Sequence, residues 1–152
     1  MPRLAQVSLI VGDYDAALAF YVGKLGFTLV EDAVVAGTDK RWVTLRPPGA
    51  TAEGAALLLA RAATPAQAAA IGNQGARRVW LFLETDDFAR DHAAYQAAGV
   101  RFLEAPRHEP YGIVAVFEDL YGNRWDLIEP RRSGREGNPS ADRDQHGRGQ
   151  AE

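Results

Sequence analysis

Few side chains in this sequence could carry nucleophilic or metal chemistry. There is no cysteine, which excludes disulfides, thiolate nucleophiles and zinc–thiolate sites, and there are three histidines. His92 lies within a predicted helix and is interpreted as a solvated surface residue. His108 lies in a proline-bounded segment that is interpreted as a turn, with a binding group at the mouth of a cavity as the alternative. His146 falls in a polar tail and is assigned no catalytic role.

A second set of candidate side chains lies along a predicted strand over residues 77–85. Trp80, Phe82 and Glu84 alternate with other residues, so strand geometry predicts that all three share one face. Trp80 has two interpretations, a core aromatic residue or a flat apolar wall on which a planar ligand stacks. The strand therefore offers an aromatic face that carries one carboxylate.

Length and charge narrow the classes of partner. The chain has 152 residues, 47% hydrophobic and 24% charged, and a formal net charge of −3, which is typical of one soluble globular domain. There is no basic excess for a phosphate backbone, so no nucleic-acid partner is expected. No apolar run approaches the ~20 residues of a membrane helix, and the first residues lack the apolar stretch of a secretory signal. We therefore predict a cytoplasmic protein without a membrane partner.

The order of predicted elements occurs twice along the chain. Residues 4–61 are predicted to form a strand, a helix and three strands, and residues 77–130 the same series, with a linker over residues 62–76. Thr64 and Pro65 predict a short helix within that linker. We expect residues 1–130 to form a single domain of paired modules, followed by a disordered polar tail over residues 131–152.

Matching positions in the two halves support an internal duplication. Asp13 is predicted to cap the first helix and Asp87 the second, and a glycine is predicted to end each helix. A shift of 74 residues, or 73 after the helices, aligns Gln6 with Trp80, Asp13 with Asp87, Tyr21 with Tyr95 and Gly26 with Gly99. If each module has one helix against its sheet, the two uncovered sheet faces are expected to enclose a ligand cavity.

A resemblance to the vicinal oxygen chelate superfamily is carried by the stretches QVSLIVGDYDAALAFYVGKLGF, LETDDFARDHAAYQAAGV and VFEDLYGNRWDLIE. That superfamily includes glyoxalase I, extradiol dioxygenases, methylmalonyl-CoA epimerase and the fosfomycin- and bleomycin-resistance proteins. The patterns D-x-x-x-A-x-x-F-Y-x-x-x-L-G-F over residues 13–27 and D-x-x-G-N over residues 119–123 are its most specific part. The resemblance implies an α+β fold of two tandem βαβββ modules curling around a central cavity, and a homodimer.

The resemblance also locates the four positions at which enzymes of the superfamily hold a divalent metal. The first-strand positions fall on Gln6, whose amide oxygen could coordinate a cation, and on Trp80, whose indole cannot. The last-strand positions fall at or next to Leu58 and on Asp126. Glu84 lies four residues beyond Trp80 along the strand, so it is not expected to replace it. We expect no dedicated cofactor, with a divalent metal at Gln6 and Asp126 as the alternative.

Three functional hypotheses follow from these positions. The first is a protein that binds a small organic molecule in an aromatic cavity without a tight metal site, for resistance or sequestration. The second is a glyoxalase-like lyase or isomerase, or a dioxygenase, with a residual metal site at Gln6 and Asp126 and with Asp126 as candidate acid or base. The third is a structural dimer module with a filled core. The cavity is expected to be lined by Gln6, Ser8, Trp80, Phe82, Glu84 and Asp126.

Overall fold

A computed structural model describes residues 1–132, which fall into two compact units, Met1–Gly72 and the part that begins at Asn73. Unit 1 contains β1 (Gln6–Val11), α1 (Tyr14–Tyr21), β2 (Thr28–Val34), β3 (Arg41–Arg46), β4 (Ala56–Arg61) and α2 (Pro65–Ala70). Unit 2 contains β5 (Val79–Glu84), α3 (Phe88–Ala97), β6 (Arg101–Phe102), β7 (Arg107–Glu109), β8 (Gly112–Glu118) and β9 (Arg124–Pro130). Most of the tail predicted over residues 131–152 lies outside the described residues.

Helix α1 shows why its sequence motif specifies structure. The Asp13 side chain accepts a hydrogen bond of 2.7 Å from the Ala16 backbone N–H, which caps the first turn. Ala17 and Tyr21 are fully buried on the inner side of the helix. Gly26 has a φ of 76°, a conformation that glycine adopts without a steric penalty, and it turns the chain towards β2.

The sheet of unit 1 has the strand order β1-β4-β3-β2. β1 pairs with β4 in parallel, and β4 with β3 and β3 with β2 in antiparallel fashion. Alternate residues of β1, β4 and β3 are fully or nearly fully buried and form the core with α1: Leu9, Val11, Val43, Leu45, Leu57 and Leu59. Strand β2 is different, because all seven of its residues are exposed at the edge of the sheet.

Unit 2 repeats this arrangement. The Asp87 side chain accepts a hydrogen bond of 3.0 Å from the Arg90 N–H and caps α3, and Gly99 ends the helix region with a φ of 86°. β5 pairs with β9 in parallel and β9 with β8 in antiparallel fashion, while β6 and β7 both pair with β8. The predicted capping pair Asp13 and Asp87 is therefore confirmed.

The D-x-x-G-N motif forms the turn between β8 and β9. Asp119 is only 5% exposed, and its Oδ1 accepts hydrogen bonds from the backbone N–H groups of Tyr121, Gly122 and Asn123 at 2.9–3.0 Å. Its Oδ2 accepts a fourth hydrogen bond, of 2.8 Å, from the Asn123 side-chain amide. One carboxylate thus accepts the hydrogen bonds of the turn's backbone donors. The motif is therefore explained by its role in forming the turn and not by a catalytic or binding role.

The α+β class and the two tandem βαβββ modules predicted from the sequence are confirmed. Thr64 caps α2 by accepting from Gln67 N–H at 3.1 Å, with Pro65 in the first turn, so the linker helix is also confirmed. β7 was missed and corrects the predicted turn, because residues 107–109 pair with β8. The single-domain organisation and the cavity stay predictions. Within residues 1–132, no helix is long and apolar enough to cross a membrane.

Candidate functional site

Each sheet has one face that packs on its helix and a second face, here called the helix-free face. In unit 1 the register places Ser8 beside Leu58, Leu58 beside Thr44 and Thr44 beside Glu31, so these four residues form one row across that face. Leu58 is half-buried, whereas Thr44 is only 6% exposed. Gln6 lies in the neighbouring row, opposite Ala56, and is half-buried. The centre of the row in unit 1 is therefore an aliphatic side chain.

The equivalent row of unit 2 contains Phe82, Asp126 and Val116. Phe82 is 47% exposed at the edge strand β5, whereas Asp126 is 6% and Val116 3% exposed. A carboxylate is thus buried between an aromatic and an aliphatic side chain. Because Leu58 pairs with Ser8 and Asp126 with Phe82, and Ser8 and Phe82 are aligned by the 74-residue shift, Leu58 and Asp126 occupy equivalent positions of the two sheets.

The next row on this face of unit 2 contains four residues. Glu84 pairs with Ile128, Ile128 with Val114, and Val114 with Arg107 of β7. Glu84 is exposed, and Ile128 of β9 and Val114 of β8, which lie between it and Arg107, are fully buried. The predicted sharing of one face by Phe82 and Glu84 agrees with this register.

Arg107 is the centre of a polar cluster on unit 2. Its Nε lies 3.0 Å from both carboxylate oxygens of Glu104, and its Nη1 lies 3.0 Å from Glu109 Oε1. Burial lowers the pKa of the Arg107 guanidinium, but the hydrogen bonds and charge of Glu104 more than compensate and raise it. Glu104 Oε1 also accepts from the Val116 N–H at 3.1 Å, which fixes the cluster to β8.

Tyr111 connects this cluster electrostatically to Asp126. Burial raises the pKa of the Tyr111 hydroxyl, which Arg107 opposes by hydrogen bonding and by its charge, while the charges of Glu109 and Asp126 raise the pKa further. Tyr111 is half-buried and remains protonated at neutral pH. Unit 2 therefore offers an aromatic ring, a buried carboxylate and a phenol as groups that could contact a ligand.

Trp80 does not follow the simple alternation predicted for its strand. The pairing of β5 with β9 runs from Val79 with Arg124 to Leu81 with Trp125, so the register shifts at Trp80. Such a bulge redirects the side chain of the extra residue. The register therefore does not support the prediction, made from simple alternation, that Trp80 and Phe82 share a face. The direction of the half-buried indole depends on the bulge.

His92 lies in a helix as predicted, but its exposure and the secondary structure of His108 differ from the predictions, while His146 lies outside the described residues. His92 is half-buried rather than solvated, because its ring stacks on Phe88 at 5.2 Å between centroids and lies 4.4 Å from the Phe102 ring. Its Nε2 is buried and makes no hydrogen bond within residues 1–132, and burial lowers the pKa of His92. His108 belongs to strand β7, where it is exposed and pairs with Ile113. Neither histidine lies in the Asp126 row.

The donor set does not fit the divalent metal that the resemblance implies. Of the four positions, Leu58 and Trp80 carry no lone pair for a metal, which leaves an amide at Gln6 and a carboxylate at Asp126. Within the described residues there is no group of three or more histidine, cysteine, aspartate or glutamate side chains arranged to hold a metal. These side chains give no basis for a metal-dependent step.

Comparison with known proteins decides the family. Residues 3–127 match the Glyoxalase/Bleomycin resistance protein/Dioxygenase superfamily. The chain belongs to this superfamily. The predicted resemblance is thereby confirmed, and the superfamily explains why the capping residues and the Asp119 turn are present in these places.

Three relatives illustrate the range of similarity. The chain is 53% identical over 126 residues to an uncharacterized protein of Shewanella frigidimarina, with 83% of this chain and 92% of that protein covered. TnmS3, an antibiotic binding protein from Streptomyces sp. CB03234, is 31% identical with a TM-score of 0.69 over 86% of this chain and 98% of TnmS3. A glyoxalase/bleomycin resistance protein of the same Streptomyces is 33% identical with a TM-score of 0.64 over 82% and 97%.

The residues around Arg107 were missed by the sequence-based reasoning. In the proline-bounded segment, His108 was the candidate residue. In the structure, Arg107 pairs with Val114 of β8 and Glu109 pairs with Gly112. A usable signal was present, since Arg107 and Glu109 alternate around His108 and Glu104 lies three residues before Arg107. A three-residue strand is too short for this alternation to be distinguished from a turn.

Proposed function

We propose that the protein binds a small organic molecule at an aromatic site, for resistance or sequestration, without a dedicated metal. The observation that carries the proposal is the row of unit 2, in which the exposed ring of Phe82 lies beside the buried carboxylate of Asp126. Its counterpart in unit 1 has Leu58 in place of a metal-binding side chain. The likeness to the antibiotic binding protein TnmS3 supports a ligand of that general kind.

The side chains suggest how affinity would arise. Covering the exposed Phe82 ring would remove apolar surface from water and contribute about 1 kcal/mol. Asp126 would accept a hydrogen bond from an N–H or O–H group of the ligand, in a poorly solvated position where such a bond is strong. We infer that Trp80 and Glu84 of the same unit supply further contacts.

A thermal unfolding screen tests the proposal. The full chain is heated with members of a panel of aromatic antibiotics and with the neutral fluorophore 1-aminoanthracene. A bound ligand raises the melting temperature, and the rise increases with the logarithm of the ratio of ligand concentration to Kd. The rise is expected to shrink in Phe82→Ala and Asp126→Asn and to persist in Leu120→Ala, a control at an exposed apolar residue of the β8–β9 turn. Equal rises in all three variants would contradict the assignment of this row.

A second screen addresses the enzymatic alternative. Protein stripped with a chelator is melted with Ni²⁺, Zn²⁺, Mn²⁺ and Fe²⁺, and the proposal expects no specific stabilisation. A rise of several degrees with one ion that disappears in Asp126→Ala would overturn the metal-free proposal and direct assays to lyase, isomerase and dioxygenase reactions.

The homodimer and the cytoplasmic location belong to the same proposal. Superfamily membership supports a dimer. Sedimentation equilibrium of the full chain is expected to give about twice the monomer mass of 16.5 kDa. A monomer mass across the accessible concentrations would contradict the dimer.

A further inference from the structure

Trp80 is preceded by a segment of unusual backbone, residues 73–78, here called the Trp80 loop. Ala76 has a φ of 52° and Arg77 a φ of 68°, and they are the only non-glycine residues with positive φ in the described part of the chain. Side chains with a Cβ rarely adopt this left-handed conformation, and two consecutive examples must be held by their surroundings. Strained backbone of this kind is common beside binding sites.

Hydrogen bonds hold the Trp80 loop to the rest of unit 2. The Arg124 Nη1 group donates to the Arg77 carbonyl oxygen at 2.9 Å, at the start of β9. The Gln74 N–H donates to Asn123 Oδ1 at 3.5 Å, and Arg78 N–H donates to the Gly75 carbonyl at 3.0 Å. The strained residues are thus attached to the same strand that carries Asp126.

Gly75 lies directly against the base of the Trp80 side chain. A Cβ added at Gly75 would lie 2.8 Å from the Trp80 Cβ, 3.3 Å from its Cγ and 3.0 Å from the Arg78 carbonyl oxygen. Gly75 is not among the glycines with positive φ, so its backbone conformation alone does not require glycine. The requirement is space, and any larger residue must displace the base of the Trp80 side chain.

The first strands of the two units differ at this position. In unit 1, Gln6 pairs regularly with Ala56, and the register continues without a shift along β1. In unit 2, the aligned Trp80 falls at the register shift of β5 and adjoins the Trp80 loop. Bulge, strained residues and glycine contact therefore coincide at one aromatic side chain.

We propose that the Trp80 loop sets the direction of the indole, and that Gly75 is a positioning residue for ligand affinity. The inference rests on the proposed function, because Trp80 must contact the ligand for its direction to affect affinity. Gly75 itself needs no contact with the ligand.

A double-mutant cycle between Gly75→Ala and Trp80→Ala tests the proposal, with 1-aminoanthracene fluorescence as the binding readout on the full chain. Gly75→Ala is expected to weaken binding about tenfold in the wild-type background and to have no effect in the Trp80→Ala background. The Cβ–Cβ contact is present in both backgrounds, so a general structural disturbance would weaken binding in both. Gly54→Ala is the matched control, since its added Cβ has its nearest contact at 3.5 Å.

A proton–nitrogen correlation spectrum gives a second readout that needs no ligand. The three tryptophans give three indole N–H resonances, and Gly75→Ala is expected to move the one that is absent in Trp80→Ala. Arg124→Gln, which removes the hydrogen bond to Arg77, is expected to act in the same direction and remains informative if Gly75→Ala does not fold.

The outcomes separate the two proposals. Equal weakening by Gly75→Ala in both backgrounds, or an unmoved Trp80 indole, would overturn the positioning role while leaving the site at Phe82 and Asp126 intact. If Trp80→Ala binds the probe as tightly as the wild type, Trp80 is not a ligand contact and Gly75 does not act on affinity. Loss of the dependence on Phe82 and Asp126 would instead refute the proposed function.

Discussion

The two units preserve what folds them and differ in what faces away from the helix. Both begin their helix with a capping aspartate, bury a tyrosine of that helix and pair their first strand in parallel with their last. On the helix-free face, Leu58 of unit 1 corresponds to Asp126 of unit 2. A duplicated fold thus retains its local folding signals, whereas the chemistry of the helix-free face differs between the two copies.

The loop before the last strand is expected to give the largest difference between the units in its contribution to the free energy of unfolding. Asp119→Ala would leave the backbone N–H groups of Tyr121 and Asn123 and the Asn123 side-chain amide without this acceptor, while the Gly122 N–H keeps the Asp119 carbonyl oxygen, and we expect a loss of about 3 kcal/mol in the free energy of unfolding. In unit 1 the corresponding loop is held by Arg46 Nη1, which donates to the carbonyls of Thr51 and Gly54. Arg46→Ala is expected to cost about 1 kcal/mol. Urea unfolding measures the free energy of unfolding of both variants. Equal losses would contradict the expectation that the connection in unit 2 contributes more to stability than the one in unit 1.

Replacing Asp126 by leucine makes the row of unit 2 resemble that of unit 1. The carboxylate is buried between Phe82 and Val116, so an apolar side chain is expected to leave stability unchanged or to raise it. Affinity for the ligand is expected to fall about tenfold, since the acceptor is gone. Urea unfolding and the 1-aminoanthracene titration together give the answer. A large loss of stability with unchanged binding would assign Asp126 to the fold instead.

The helix caps are where the units should behave alike. Asp13→Ala and Asp87→Ala each remove the acceptor for one backbone N–H of the first helical turn, and each is expected to destabilise the chain by about 1 kcal/mol. Asp13→Asn and Asp87→Asn, which keep a capping oxygen, serve as controls. Thermal unfolding that is sensitive to only one of the two aspartates would break the symmetry argued from the sequence.

The smallest expected effect concerns pH. His92 of α3 aligns with Leu18 of α1, and burial lowers the pKa of His92 in the folded protein. The unfolded chain therefore binds the proton first, and this histidine's contribution to stability decreases as the pH falls through its unfolded pKa of about 6.5. His92→Leu is expected to reduce the difference in urea midpoint between about pH 8 and about pH 5. An unchanged difference would mean that other groups cause it.

The fold could be predicted because its signals are local. Asp13 and Gly26 mark the two ends of the first helical segment, and Asp87 and Gly99 those of the second, so a sequence repeat is sufficient to show the duplication. The positions of Leu58 and Asp126 came from the family resemblance, and the pairings Ser8 with Leu58 and Phe82 with Asp126 place the two residues at equivalent points of their sheets.

The remaining features depend on contacts between residues distant in sequence or on backbone detail. His92 is buried by the ring of Phe102, which comes from a strand after the helix rather than from the helix itself. The bulge at Trp80 lies where Gly75 adjoins the base of that side chain, and alternation along β5 encodes neither feature. The polar cluster around Arg107 depends on β7, whose three residues are too few for a periodic signal.

The parallel pairing of first and last strands also governs the order of events during synthesis. Gln6 must meet Ala56, and Val79 must meet Arg124, so each sheet closes across a chain segment of about 50 residues. Such non-local closure is slow compared with helix formation. On the ribosome, β1 must wait for β4 to emerge and β5 for β9, and unit 1 has all its strands available before β9 has been translated. The edges of β1 and β5 are the surfaces that a nascent chain must keep from pairing elsewhere during that interval.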